Sequence, residues 1–306
     1  MKWSSALKDL PLVAGMLGFN FAAFGQSDQG PAKPVEARPA VSAPAAHATS
    51  RSAASAPAPL ALTVKQIVEK NVAARGGLTA WRAVGSMVES GKIEDSGNVV
   101  APQPFVLMMK RPRKSRLELV SLDQKAVQVY DGQNGWKLRA WQNRVEPYTA
   151  AELERAVDQQ ELDGPLIDCA AKGTKVEYEG IEQVEGHDAY KLKLTLIDNH
   201  VRHIWIDTKS FLDVKIEAAP RVMYGRERQA MTYFRDYRPV NGLMIPHTLE
   251  TTVEGINQTR KVTIVKVVLN PKLDDSAFAK PGSFAPAAAM RRGAAPAPFG
   301  APPAKR

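Results

Sequence analysis

From residue 86 onward, apolar and polar positions alternate with a period of two. The runs SMVESGKIED, FVLMMKR, RLELVSL, AVQVYD, GWKLRAW, VEYEG, AYKLKLTLI, VRHIWID, DVKIEAA, QAMTYFRDY, MIPHTLET and RKVTIVKVVL each read as a strand. The pattern is cleanest in YKLKLTL, where Tyr190, Leu192 and Leu194 share one face and Lys191, Lys193 and Thr195 the other. Most gaps hold only a few turn-forming residues, among them Asp131-Gly132, Asn134-Gly135, Asp198-Asn199 and Asn241-Gly242. Such gaps are too short for the crossover helix that a parallel pair requires, so an antiparallel, meandering sheet is expected.

Two stretches carry helical spacing instead. LTVKQIVEKNVAARGGLTAWRAV opens with a Thr63-x-x-Gln66 capping box, places Val64, Ile67, Val68 and Val72 on one face, and stops at Gly76-Gly77. A short second helical turn should then carry Leu78, Trp81 and Val84. The other stretch, YTAAELERAVDQQELDGPLIDCAAKG, interrupts the strands in mid-chain. It has a second capping box, Thr149 to Glu152, followed by Leu153, Ala156 and Val157 and then Leu162, Leu166 and Ile167, which predict inserted helices. A sheet of ten or more strands tends to curl, and both helical stretches are available to cover its concave side. The fold class expected is mainly β (α+β), a curled antiparallel half-barrel of about 11 strands with a helical lid.

The ends of the chain differ from its middle. Lys2 and Lys8 precede the apolar stretch LPLVAGMLGFNFAAFG, and Ala23 and Gly25 suit a signal peptidase cutting before Gln26. Pro11 and Asn20 interrupt a stretch already short of the roughly 20 residues that a membrane span needs. The expected organisation is a cleaved signal peptide at 1–25, a disordered Ala/Pro-rich linker at 26–60, a folded domain at 61–281 and a disordered basic tail at 282–306. Export to the periplasm follows from that reading. The formal charge is +9, but Arg291, Arg292, Lys305 and Arg306 of the tail have no acidic counterpart there, so the folded domain is only mildly basic. Nucleic acid is therefore not an expected partner, whereas a peripheral contact of the tail with an anionic surface is compatible with the charge.

Candidate chemistry is sparse. His200 and His203 are three apart, which on a strand points them to opposite faces. HExxH, paired CxxC and Gly-x-Ser-x-Gly motifs are absent. Cys169, between Ile167 and Ala170-Ala171, reads as a small buried side chain, and Asp207, Asp213 and Asp236 as solvated or turn-forming residues. No catalytic residue, metal or cofactor is expected. Apolar and adaptable residues are plentiful instead: Met87, Met108, Met109, Met223, Met231 and Met244, with Trp81, Trp136, Trp141 and Trp205. They suit either an ordinary core or a cavity for flexible chains.

One cation is out of keeping with its strand. In FVLMMKRPRKSRLEL, Arg111 falls in register with Phe105, Leu107 and Met109. KRP at 110–112 after an apolar strand, and YDGQNGWKL at 130–138, resemble the KRP strand end and DG…W hairpin of the LolA/LolB-like family of periplasmic lipoprotein carriers. DGPLID…KG, VEGHDAYKLKL, FRDYRPVNGLMIPH and LNPKLDDSAF resemble its outer membrane lipoprotein-sorting branch. The resemblance covers roughly 65–280 and implies an unclosed antiparallel barrel, lidded by helices, whose apolar cavity takes lipid acyl chains. It also implies that the KRP arginine, here Arg111, gates the lid through hydrogen bonds. Its fork of donors suits that role better than lysine would; an arginine reaching solvent at a strand end is the alternative. The chain departs from the carriers at Ser115, where a large apolar residue is common.

The expected function is thus a periplasmic carrier that shields acyl chains of a lipoprotein or lipid, with an envelope protein as possible donor or acceptor and a monomer as the expected state. Phe105, Leu107, Met109, Trp81, Tyr190, Leu192 and Leu194 are the candidate cavity-lining residues. The alternative is a periplasmic sensor or assembly adaptor that binds a protein partner with the same fold.

Overall fold

The computed structural model describes residues 62–282, apart from 97–100, 122–123, 140–142, 151, 154–155, 157–161 and 224–225. The expected signal peptide, linker and basic tail lie outside the described residues, save Gly282 and a two-residue pairing of Val13–Ala14 with Phe19–Asn20.

Thirteen strands form one antiparallel sheet: β1 (Ser86–Asp95), β2 (Gln103–Lys110), β3 (Lys114–Ser121), β4 (Gln124–Tyr130), β5 (Gly135–Arg139), β6 (Arg144–Pro147), β7 (Lys175–Val184), β8 (His187–Thr195), β9 (Val201–Asp207), β10 (Asp213–Met223), β11 (Arg226–Val240), β12 (Leu243–Val253) and β13 (Ile256–Leu269). Their order is β6-β5-β4-β3-β2-β1-β13-β12-β11-β10-β9-β8-β7. Every neighbour is thus a hairpin partner except β1 with β13, which joins the first strand to the last. The sheet is not closed: β6 and β7 are its two edges, and residues 148–174 run from one to the other. This count is slightly above the expected number of about 11. Arg144–Pro147 was not expected as a strand, because its four residues show no clean alternation.

The two arms differ in regularity. Register is unbroken in the β1–β6 pairings. In the other arm it shifts between Lys191 and Leu192, Trp205 and Ile206, Ala218 and Arg221, Thr252 and Val253, and Ile264 and Lys266. Each such irregularity bends a strand and adds local twist, so the second arm has more means of curling.

Among the described residues, two helices precede the sheet. In α1 (Val64–Ala74), Thr63 and Gln66 form the expected capping box, and Gly76 and Gly77 follow at positive φ. After α2 (Leu78–Arg82) the chain enters β1 directly. In the mid-chain segment the Thr149 to Glu152 capping box is present, with Thr149 N donating to Glu152 Oε2 at 2.7 Å and Glu152 N to Thr149 Oγ1 at 3.3 Å. The helix expected around Leu162, Leu166 and Ile167 is not formed. Those residues lie in consecutive turns, because Gly164, Asp168 and Gly173 all take positive φ, which ends a helix.

The concave face of the sheet is covered and the convex face only in part, Val268 of β13 remaining exposed. On the concave face, Trp81, Val84 and Ile167 pack with Met87, Phe105, Leu107, Met109, Leu117 and Leu249, while Ile67 and Leu166 pack with Leu192, Leu194, Ile204 and Ile206. On the convex face a carboxy-terminal strap, containing the 3-10 helix Asp275–Phe278, buries Phe278 against Val127, Val129 and Leu138. Lys110 Nζ reaches Leu273 O and Asp275 Oδ1, each at 2.8 Å, and Lys114 Nζ reaches Asp275 Oδ2 at 2.9 Å. These two ammonium groups hold the Asp275 carboxyl down at about 2.

Candidate functional site

The rim where α2 enters β1 gathers a network of charged side chains, among them the buried Asp163 and Arg75. Arg111 lies just beyond the last residue of β2, at the edge of the concave face, and the peptide to Pro112 is cis. Its Nε donates to Val84 O at 2.8 Å, and its Nη2 donates to Trp81 O at 3.3 Å and to Asp163 Oδ2 at 2.6 Å. One guanidinium therefore touches the sheet's rim, the end of α2 and the segment that crosses between the sheet edges.

Asp163 is the hub of this arrangement. Its side chain is 3% exposed, and its other oxygen accepts from Lys172 Nζ at 2.8 Å. Lys172 also donates to Gly164 O at 2.7 Å. The backbone carbonyl of Asp163 accepts from Arg75 Nη1 at 2.9 Å, which brings in the end of α1. Arg75 is buried, stands 4.8 Å over the Trp81 ring, and lies 3.5 Å from Asp213 Oδ2. Asp213 in turn accepts from Asn71 Nδ2 at 2.9 Å. Burial pushes the Asp213 carboxyl above its ordinary range, against the pull of Arg75 and Asn71. The expectation of a solvated Asp213 is thus corrected: α1 covers it, which a residue bordering a turn does not reveal locally. Asp207 does form its turn, accepting from Lys209 N and Ser210 N, and Asp236 is exposed and paired with Arg238.

The candidate lining residues separate into two groups. Trp81, Phe105, Leu107 and Met109 belong to the cluster beneath α2; Leu192 and Leu194, with half-buried Tyr190, belong to the cluster beneath α1. Ile216 packs against both. The adaptable residues are less concentrated than their number implies. Met87 and Met109 face the concave side, but Met108 and Trp136 pack on the convex cluster beside Phe278, and Trp205 and Met231 on another convex cluster. Trp141 is outside the described residues. Cys169 is half-buried in a turn and its thiol is pushed up by burial. Among the described residues no group of three or more His, Cys, Asp or Glu is placed to hold a metal ion, and no helix is long and apolar enough to cross a membrane.

No protein-family model matches the chain, and no curated protein matches it in sequence. Solved structures resemble it in outline. A LolA superfamily protein from Nitrosomonas europaea is 15% identical over 72% of this chain and 99% of its own, with a TM-score of 0.48. An outer membrane lipoprotein-sorting protein domain, described as such only provisionally, from Vibrio parahaemolyticus is 12% identical over 69% and 94%, with a TM-score of 0.46. A DUF1329 family protein from Desulfovibrio piger is 14% identical over 71% and 97%, with a TM-score of 0.48. The half-barrel itself rests on the strand order and registers given above.

The concave face also holds polar side chains, of which the sequence reading singled out Ser115 alone, as a departure from the carriers. Ser115 is fully buried there, opposite Met109 and Tyr130, and its Oγ has no hydrogen-bond partner. Tyr148 lies over Gly135, where a Cβ would come within 1.9 Å of the ring, and its buried hydroxyl is likewise unpartnered. Glu89 is 4% exposed, with Oε2 buried and unpartnered. The signal for Glu89 was present in SMVESGKIED: an acidic residue in register with Met87 and Ile93.

Proposed function

We propose that this protein is a carrier that holds the acyl chains of a lipoprotein or lipid against the concave face of the half-barrel and works in the periplasm. The observation that carries the reading is the form of the concave face: two apolar clusters bridged by Ile216 on an unclosed sheet, roofed by separate elements that are fastened at one rim. Phe105, Leu107, Met109, Leu192 and Leu194 supply apolar floor from both arms, and Trp81 and Ile167 come from the roof. Burying that floor against hydrocarbon rather than against the roof exchanges one apolar contact for another, at little cost in hydrophobic free energy. The polar fastening at the rim then sets how readily the roof lifts, and Arg111 is its gating residue.

The test is native mass spectrometry of the mature protein purified from its envelope, with organic extraction of what accompanies it. Bound lipid or acylated protein supports the carrier reading. Empty protein that also refuses added acylated ligands overturns it.

A second reading rests on β7. Among the described residues this ten-residue strand pairs on one side only, with β8, and carries the half-exposed Ile181. A free strand edge can receive a strand from a partner protein, as an assembly adaptor or sensor would require. Proline substitution along β7 that abolished partner capture without affecting acyl binding would support that reading.

A further inference from the structure

Glu89 is placed where a carboxyl group does nothing for the fold. It lies near the middle of β1 on the concave face, between Met87 and Gly91, with Leu107 opposite on β2 and Val267 opposite on β13. The next pairs along these strands are Met87 with Met109 and Leu269, and Gly91 with Phe105 and Ile264. Every directly facing side chain is therefore apolar. Gly91 keeps this part of the sheet close, since a Cβ there would come within 1.9 Å of Thr263 O at the β13 irregularity.

The charged groups of the neighbouring elements are engaged elsewhere. Arg111 at the end of β2 serves Asp163, as does Lys172 of the crossing segment. Arg75 stands beside Asp213. Arg82 of α2 is paired outside with Asp168, Lys137 of β5 with Glu152, and Arg260 of β13 with Asp95 at the far rim. His247 of β12 uses its Nδ1 on Ile245 O. Neither β3, with Ser115, Leu117 and Leu119 on this face, nor α2's Trp81 presents a charge to Glu89.

We propose that Glu89 is the polar recognition point of the acyl-binding face, a neutral carboxyl group that donates a hydrogen bond to the carbonyl oxygen at the head of a bound acyl chain. The inference rests on the acyl-carrier reading and specifies its ligand: a chain joined through an ester or an amide, rather than a bare hydrocarbon or an ether. An unpartnered buried polar group is costly, and a carbonyl arriving with its own apolar chain would satisfy it without bringing a second charge. Burial alone raises the Glu89 carboxyl to about 7, so that near neutrality it retains a proton to donate. From Glu89 to Asp95 the strand continues for six residues, roughly 20 Å, beside Ile93, Phe105, Leu119, Val262 and Ile264. That lane gives the chain a direction, with its carbonyl at Glu89 and its tail toward the Asp95–Arg260 pair.

The test is competition by three fourteen-carbon probes for a fluorescent fatty-acyl reporter on the full mature chain: 1-monomyristoylglycerol (ester), N-myristoylethanolamine (amide) and 1-O-tetradecylglycerol (ether). At about pH 6 the wild type should prefer the ester, the amide or both to the ether by about tenfold, the worth of one good hydrogen bond. Which of the two is preferred identifies the source of the carbonyl. Glu89→Gln keeps a donor and should keep the preference; Glu89→Leu should bring the ratio to within about twofold of unity while still binding the ether. Raising the pH to about 8.5 should remove the wild-type preference and leave that of Glu89→Gln, a comparison that holds even if Glu89→Leu fails to fold. Retention of the preference in Glu89→Leu, or a wild type that binds all three probes equally, overturns the role of Glu89 and leaves the carrier standing. A wild type that binds none of them overturns both.

Discussion

Two buried carboxyl groups on the same side of the sheet have opposite surroundings. Asp163 accepts from Arg111 and Lys172 at 2.6 and 2.8 Å, and its own backbone carbonyl accepts from Arg75. Glu89, also almost wholly buried, faces only apolar side chains, and its Oε2 has no partner. A buried charge with several good partners fastens what it touches, whereas one without them loses its charge. The rim is thus built to hold separate chain elements together, and the floor beneath is built to remain neutral. The two can be broken independently.

The largest expected effect is the pH dependence of stability that Glu89 imposes. Its folded value of about 7 lies above the ordinary 4.5, so between these limits the native state holds a proton that the unfolded chain releases. The stabilisation is fully present below about pH 4.5 and lost as the pH rises through about 7. At about 1.4 kcal/mol per pH unit, the gap corresponds to a loss of about 3 kcal/mol. Glu89→Gln lacks this loss. Urea denaturation of both proteins at intervals from about pH 4.5 to 8 should show the wild type falling relative to the variant, and parallel curves would mean that Glu89 is not buried as a neutral acid.

Removing Asp163 should cost somewhat less. Loss of one member of a fully buried pair costs about 3–5 kcal/mol, but the Arg111 and Lys172 side chains are 35% and 20% exposed and regain hydration when released. Asp163→Ala should therefore lose about 2–3 kcal/mol, read from the urea midpoint, with Asp163→Asn losing less because one oxygen still accepts. A loss below about 0.5 kcal/mol, the range of an ordinary surface substitution, would mean that the fastening lies elsewhere.

The pattern of strands was legible because alternation is a property of each run alone. YKLKLTL forms β8 with Leu192 and Leu194 fully buried, and both capping boxes formed because their partners are three residues apart. What alternation does not reveal is which face becomes concave. With the carboxy-terminal strap covering the other side, Met108 and Trp136 are as well placed in a convex core as Met109 is in the concave one. Asp213 was misread for a related reason: Asn71 and Arg75, which bury it, lie about 140 residues away in sequence. The motif DGPLID…KG lies in the crossing segment, but the contacts of Asp163 and Lys172 at its two ends depend on the turns that replace the expected helix.

The smallest effect expected distinguishes the inside of the rim from the outside. Arg82 and Asp168 also join α2 to the crossing segment, through two 2.6 Å hydrogen bonds, and each raises or lowers the other's ionisation in the sense of an ion pair. By geometry alone this pair looks equal to Arg111 with Asp163. The Arg82 side chain is 59% exposed, however, so water and salt compete for both charges and little net stabilisation remains. Arg82→Ala should leave the urea midpoint and the hydrogen exchange of residues 78–84 and 162–174 unchanged, whereas Arg111→Leu should speed exchange in both segments by releasing the Trp81 and Val84 carbonyls and one oxygen of Asp163. If Arg82→Ala loosened these segments as much as Arg111→Leu, the roof would be held from its solvent side, and Arg111 would be one rim contact among several rather than the gate.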